Sequence, residues 1–442
     1  MSQHTFLAGA AQVDITPEGS VPLYGYPLVP RYSSGVNDPL LASAMYLHDG
    51  ENPLLMIGTD LIYMTRQMAV PIREQLAEQL DMPIDAILVS ASHTHSGPPT
   101  KQVSWINSGK PPMCHADADY CKLVIKHAVE AGCMAVKNAV PAQVALTQAD
   151  GRKLGTNRRD PKGPSIPQMP VLAARDLAGE LIGIMVVCSM HPTVLHEDST
   201  LISGDFPGLA RQYLQANLLK GDKPLVYHMG ACGNQSPRHV VKSNTMEECR
   251  RLGKVLGNEI QDAVARGQWQ DHLQLSCKSA EFTLPVRQII DMDTAKAKLV
   301  EVENKLQSLR DGNAPATTIR TAECDWFGAI ERVQMVQAKL DGLIDKLAAV
   351  NMPAIVQIMS IGEKQFVCWP GELFVEFAIQ VMEQFPQAHV ITCANGELQG
   401  YLVTEQAVAE DAYEANNAIF ASPQGGQIVV KTTLELLKNK AV

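Results

Sequence analysis

Residues 53–99, PLLMIGTDLIYMTRQMAVPIREQLAEQLDMPIDAILVSASHTHSGPP, decide the fold. The opening run PLLMIGTD (53–60) is a short, nearly continuous apolar segment, the pattern of a strand buried on both faces. Around 70–80, Ile72, Leu76 and Leu80 recur at helical spacing and share one face. IDAILVSAS (84–92) then reads as a second buried strand. Strand, amphipathic helix and strand make a βαβ unit, in which the helix covers one face of a parallel pair. Where the second strand runs out, His93 and His95 follow one residue apart. In extended backbone an i, i+2 pair points both rings to one side, and neutral imidazole is the commonest metal ligand.

The same alternation continues along the chain. Strands are expected at 142–147, 181–190, 224–230, 354–362, 365–370 and 388–395, and helices around 117–138, 206–219, 245–266 and 372–384. This predicts an α/β fold of mixed sheets flanked by helices, organised as a single catalytic domain over 1–442. Residues 290–350 depart from the alternation. Two stretches with apolar residues at helical spacing are interrupted at Gly312, Asn313, Ala314 and Pro315, which predicts a helical hairpin packed on the main body.

Bulk properties narrow the function classes. The 442 residues are 46% hydrophobic, enough for a large core, and the net charge of -10 argues against a nucleic-acid partner. No apolar run approaches the roughly 18 residues that suggest a membrane span, and the first residues lack a basic segment followed by an apolar one. Ten cysteines contain no CxxC pair, and several, such as Cys188 and Cys368, sit in apolar runs as reduced thiols would. A cytoplasmic protein is the expectation.

Unusual polar clusters repeatedly follow the expected strands. His191 follows IMVVCSM, Ser236 lies in ACGNQSPR after PLVYHMG, Glu372 follows FVCWPG, and Tyr401 closes NGELQGY after HVITCA. Loops at the carboxyl ends of strands are where α/β proteins build sites. Each residue alone has an ordinary explanation: a core histidine, a carboxylate in a helix's first turn, a serine capping a turn, an amphipathic tyrosine. Together, two histidine sites and a carboxylate offer the ligands of a hydrolytic zinc site with an open position. Asp14, Asp60 and Asp205 also sit in motif-like settings, where bonding to loop backbone is the usual role.

The ordered set SHTHSGP, MHPTVL with SGDFPG, GACGNQSPR, WPGELF, and NGELQGYLVT with AYE resembles the catalytic domain of the neutral, non-lysosomal ceramidases. AGAAQVDITP and LYGYP near the start are similar as well, so the resemblance runs from about Ala8 onward. It implies a zinc ion held by His93, His191, Glu372 and Tyr401, and amide hydrolysis by zinc-activated water. His95 would be the general acid/base, Ser236 would orient the reacting group, and Arg158 (or its neighbour Arg159) with Tyr413 would stabilise the oxyanion. It also implies a small-molecule amide substrate, an N-acyl lipid among them. One departure is Asn234, where the family usually has aspartate. Another is that the family's additional immunoglobulin-like domain is not expected here. Fold does not fix substrate. An ester or lactone hydrolase acting on a small polar or sugar-derived substrate is the alternative, drawing on Arg152, Lys153, Arg158, Arg159 and Lys162 as a carboxylate-binding cluster. A catalytically silent scaffold is the third reading.

Overall fold

The computed structural model of the chain describes residues 5–26, 29–101 and 116–439. Eight long strands build the larger sheet: β1 (Leu7–Asp14), β2 (Leu41–His48), β3 (Pro53–Thr59), β4 (Ile87–Ala91), β5 (Val140–Asp150), β6 (Gln168–Asp176), β7 (Leu181–Cys188) and β8 (Leu225–Met229). Their order is β8-β7-β6-β5-β1-β2-β3-β4, with Trp269–Gln270 added beside β5. A smaller sheet runs β9 (Leu275–Phe282), β10 (Ala354–Ile361), β11 (Lys364–Cys368) and β12 (Ala388–Ile391) in that order. Both sheets are mixed, and helices flank them, as the alternation of the sequence predicts.

The helices are α1 (Arg66–Leu80), α2 (Ala118–Lys137), α3 (Asp205–Leu214), α4 (Met246–Ala265), α5 (Met292–Asp311), α6 (Ala316–Leu340), α7 (Leu343–Asn351) and α8 (Val375–Gln384), with a further helix at Pro423–Lys438. Helices α5 and α6 form the expected hairpin, and α7 extends it. Ile72 and Leu76 of α1 are fully buried, while Leu80 at its end is only partly so. Burial of each such side chain is worth about 1.5–3 kcal/mol.

Within the two main sheets three strand pairs are parallel, and these position the site. They are β3 with β4 across α1, β7 with β8 across α3, and β11 with β12 across α8. Their ends lie in register: Thr59 opposite Ala91, Cys188 opposite Met229, Cys368 opposite Ile391. The segment after β12 joins the three ends. Thr392 N donates to Met229 O (2.7 Å), Asn395 N to Val89 O (2.7 Å), and Cys393 O accepts from Ala91 N (3.1 Å). Side chains at the three carboxyl ends are thereby gathered into one buried place.

Candidate metal centre

Each parallel pair delivers a polar side chain at its exit. After β4, the backbone turns into the left-handed region at His93, with φ 68. The extended i, i+2 geometry expected from the sequence is therefore replaced by a kink, which is nonetheless what brings the rings of His93 and His95 together, their Nε2 atoms 3.5 Å apart. A left-handed β-substituted residue costs of order 1 kcal/mol and persists only where its surroundings fix it. Here His93 N donates to Leu61 O (2.8 Å) and Nδ1–H donates to Ile62 O (2.7 Å). After β7, His191 Nδ1–H donates to Gln235 O (2.9 Å). After β11, Glu372 lies in a short parallel pairing opposite Tyr401.

A carbonyl oxygen can only accept, so both Nδ1 atoms carry a proton and both Nε2 atoms are turned inward. His93 Nε2 and His191 Nε2 are 3.2 Å apart, and Glu372 Oε2 lies 3.0 and 3.1 Å from them. All three side chains are fully buried. Three acceptors facing one another need a positive centre between them. Zinc ligands at 2.0–2.1 Å in tetrahedral array are separated by roughly 3.3 Å, close to the spacing found here. Protons compete for the same point. Burial lowers the His191 imidazole, yet the Cys232 sulfur and Glu372 offset this and hold its pKa at about 9. Burial likewise opposes ionisation of Glu372, but His93 and His191 outweigh it and hold the carboxyl well below its ordinary range.

His95 is the imidazole left over. Burial first, then the neighbouring His93 and His191, lower it well below the imidazole range, so it is unprotonated at neutral pH, with a free nitrogen lone pair but weakened basicity. Its Nδ1 has no hydrogen-bond partner among the described residues. Gly25 (φ 117) lies flat against its ring, where a Cβ would come within 2.5 Å of His95 Cγ, and Tyr26 packs edge-on at 5.3 Å. Glycine in LYGYP is therefore required twice over, by its backbone angle and by the ring it faces.

Tyr63, which the sequence reading did not single out, donates to Glu372 Oε1 (3.2 Å) and fixes that carboxylate's second oxygen. Its ring carries the Lys101 ammonium 3.7 Å from the centroid, and Lys101 is ion-paired to buried Glu397. On the other side, the Arg158 guanidinium lies 5.5 Å from the centroid of Tyr401 and is paired to Glu414 through Nε and a second nitrogen, both at 2.8 Å. Tyr413 sits edge-on to Tyr401 at 6.1 Å. Arg159 joins Glu414 (3.2 Å) and Glu410 (2.7 Å). The basic cluster suggested by the sequence does not converge: Arg152 and Lys153 are exposed and paired to Asp150 and Glu259, and Lys162 is exposed. Ser236 Oγ accepts from Arg238 N (3.2 Å) and caps the turn Pro237–His239. Asp60 binds Arg211 (2.6 Å) and Leu41 N, Asp205 accepts backbone N–H groups of residues 194, 195 and 206, and Asp14 accepts from Thr16 N. None of these three carboxylates is needed as a ligand.

Two solved structures share this architecture along almost the whole chain. The neutral ceramidase from Pseudomonas aeruginosa matches with a TM-score of 0.73 at 18% identity, over 98% of this chain and 74% of its own. A ceramidase complexed with C2 matches with a TM-score of 0.73 at 16% identity, over 99% and 77%. The chain has the neutral ceramidase fold. No family model matches it. Within the ceramidase fold, the residues named from sequence motifs lie at the carboxyl ends of the three parallel pairs or in the loops around them. The cysteine on the turn that orients His191 was missed. Cys232 is fully buried, and its sulfur and ligand atoms of His191 and Glu372 all lie within 4.8 Å of one another.

Proposed function

We propose that this ceramidase-fold chain is a zinc-dependent hydrolase that cleaves the amide bond of an N-acyl substrate. The observation that carries the reading is the convergence of His93 Nε2, His191 Nε2 and Glu372 Oε2 at 3.0–3.2 Å, beside a third imidazole, His95, that stays neutral. His93, His191 and Glu372 would hold the ion, and Tyr401 completes the set that the motifs imply. A bound divalent ion polarises a carbonyl and acidifies water toward neutral pH.

The protein's own groups do the rest. His95, buried and unprotonated, would take a proton from the attacking water and return it to the leaving nitrogen, a contribution typically of 10²–10⁴ in rate. Tyr63 holds Glu372 in orientation. Arg158, fixed by Glu414, and Tyr413 would donate to developing negative charge on the substrate oxygen. Ser236, by capping the turn after Gln235, steadies the carbonyl that sets the tautomer of His191.

Ceramide is the first substrate to test, because both structural neighbours are ceramidases. A second reading, hydrolysis of a small polar amide, ester or lactone, is favoured by the buried ion pairs Lys101–Glu397 and Arg158–Glu414 that flank the centre. The deciding experiment combines metal analysis with hydrolysis of a fluorescent N-acyl sphingosine, a short N-acyl amide and sugar lactones. The expected result is one zinc per chain and turnover of an amide, both abolished in His93→Ala. A protein that binds no metal after reconstitution, or whose His93→Ala variant matches wild type, overturns the reading.

A further inference from the structure

The turn after β8 does more than orient His191. Cys232 O accepts from Gln235 N (2.8 Å), Gln235 O takes the His191 Nδ1 proton (2.9 Å), and Gly233 N donates to Leu373 O (2.9 Å), next to Glu372. A Cβ on Gly233 would lie 2.8 Å from the Leu373 carbonyl carbon, so the close approach depends on glycine. One turn thus locks the Cys232 backbone to the backbones that carry two of the converging acceptors. The sulfur falls within 4.8 Å of ligand atoms from both of them. The other thiol nearby is placed differently. Cys393 Sγ lies 3.8 Å from His93 Nδ1, behind the ring and on the nitrogen already bonded to Ile62 O.

On the reading that this is a metal centre, we propose that Cys232 is a thiolate ligand of the ion, alongside His93, His191 and Glu372. Binding exchanges the thiol proton for the metal, and that proton leaves to solvent. With one thiolate and one carboxylate, the protein's charge balances a divalent ion. The sulfur also biases the centre toward zinc, cobalt and cadmium over magnesium, calcium and manganese. Cys232 then takes the fourth position that the motifs assign to Tyr401, and Tyr401 is left beside Arg158 as a donor toward substrate.

Cobalt(II) added to chelator-treated protein tests this without reference to turnover. Cobalt in a protein site gives visible ligand-field bands whatever its ligands, and a near-ultraviolet charge-transfer band only with thiolate. Wild type and Cys393→Ser are expected to show both, Cys232→Ser to keep the visible bands and lose the near-ultraviolet one, and His93→Ala to weaken both. Visible bands without the near-ultraviolet band in wild type, or a near-ultraviolet band that survives Cys232→Ser, overturn the thiolate and leave the metal centre standing. Absence of both bands in wild type overturns the centre and the thiolate together. X-ray absorption of the zinc-loaded wild type needs no variant: a sulfur scatterer at about 2.3 Å is expected, and a shell of nitrogen and oxygen alone overturns the proposal.

Discussion

Asn234, the departure from the ceramidase motif, has a local reason. Its Nδ2 donates to Glu376 Oε2 (2.8 Å), while its Oδ1 accepts from Val375 N (3.1 Å) and Gln235 Nε2 (3.0 Å). An aspartate here would set carboxylate against carboxylate in a part-buried pocket. Asn234→Asp is expected to lower the urea midpoint by an amount equivalent to about 1–3 kcal/mol, with most of the loss recovered in the double variant with Glu376→Gln. Burial already raises the Glu376 carboxyl, so one proton removes the repulsion. The penalty should be largest at neutral pH and fade on acidification. His95 supplies a second test: His95→Ala should retain metal and lose about 10²–10⁴ in kcat, whereas a loss of metal would make it a ligand. His93, His95, His191 and Glu372 were legible in the sequence because each follows an apolar run that can only be a strand. Tyr63 and Cys232 were not, because a tyrosine and a thiol in or beside apolar runs read as core. Their partners lie 309 residues away for Tyr63 and on two other crossovers for Cys232.

At the level of elements, the strands richest in large apolar and β-branched residues were read best, whatever their burial. Strands β3, β4, β7 and β8 are apolar and β-branched enough to stand out, whereas β1 (LAGAAQVD), β2 (LASAMYLH) and β6 (QMPVLAARD) are rich in alanine and carry little strand signal of their own. The small residues serve helix packing. A Cβ on Gly9 of β1 would lie 2.1 Å from Ala135 O of α2, and one on Gly132 would lie 2.7 Å from Leu76 of α1. Tertiary closeness, invisible to local propensity, selects them. Helix α3 shows the same coupling between element and site. Its first residue, Asp205 (φ 55), takes the N–H groups of Val194 and Leu195 and so ties the loop after His191 to the helix. Burial raises its carboxyl from 3.8 to about 6, against the hydrogen bonds that lower it. A carboxyl raised by folding stabilises the native state fully below its unfolded pKa and loses that contribution as pH rises through the folded one. The stability difference between wild type and Asp205→Asn should therefore shift against wild type between about pH 4 and pH 6, by at most on the order of 3 kcal/mol. A pH-independent difference in urea unfolding would show that Asp205 does not titrate in the folded protein.

Across the whole molecule, the proposed ligands come from the ends of three parallel strand pairs on two sheets, so a bound ion would have a mechanical consequence. The sheets meet through the backbone bonds of residues 392–395 to β4 and β8, through the side chains at the centre, through Gln357 of β10 donating to Ile87 O (3.0 Å), and through an apolar core shared by Met359, Ile361 and Phe366 with the larger sheet. A ligand that binds only the folded state adds RT ln(1 + [L]/Kd) to its stability, about 4 kcal/mol at a thousandfold excess over Kd. Stripping the metal would leave buried Glu372 and two imidazoles to be satisfied by protons alone, and would remove a link between side chains from all three parallel pairs. Zinc should therefore raise the thermal midpoint of the chelator-treated protein by several degrees, and His93→Ala should show no such response. Because the ligands must shed protons to bind, and His191 holds its proton up to about 9 in the absence of metal, the zinc-dependent shift should shrink as pH falls. If metal-free and zinc-loaded protein unfold at the same midpoint while zinc is demonstrably bound, the ion binds the unfolded chain as well as the folded one, and a centre that only the fold assembles from three strand pairs fails.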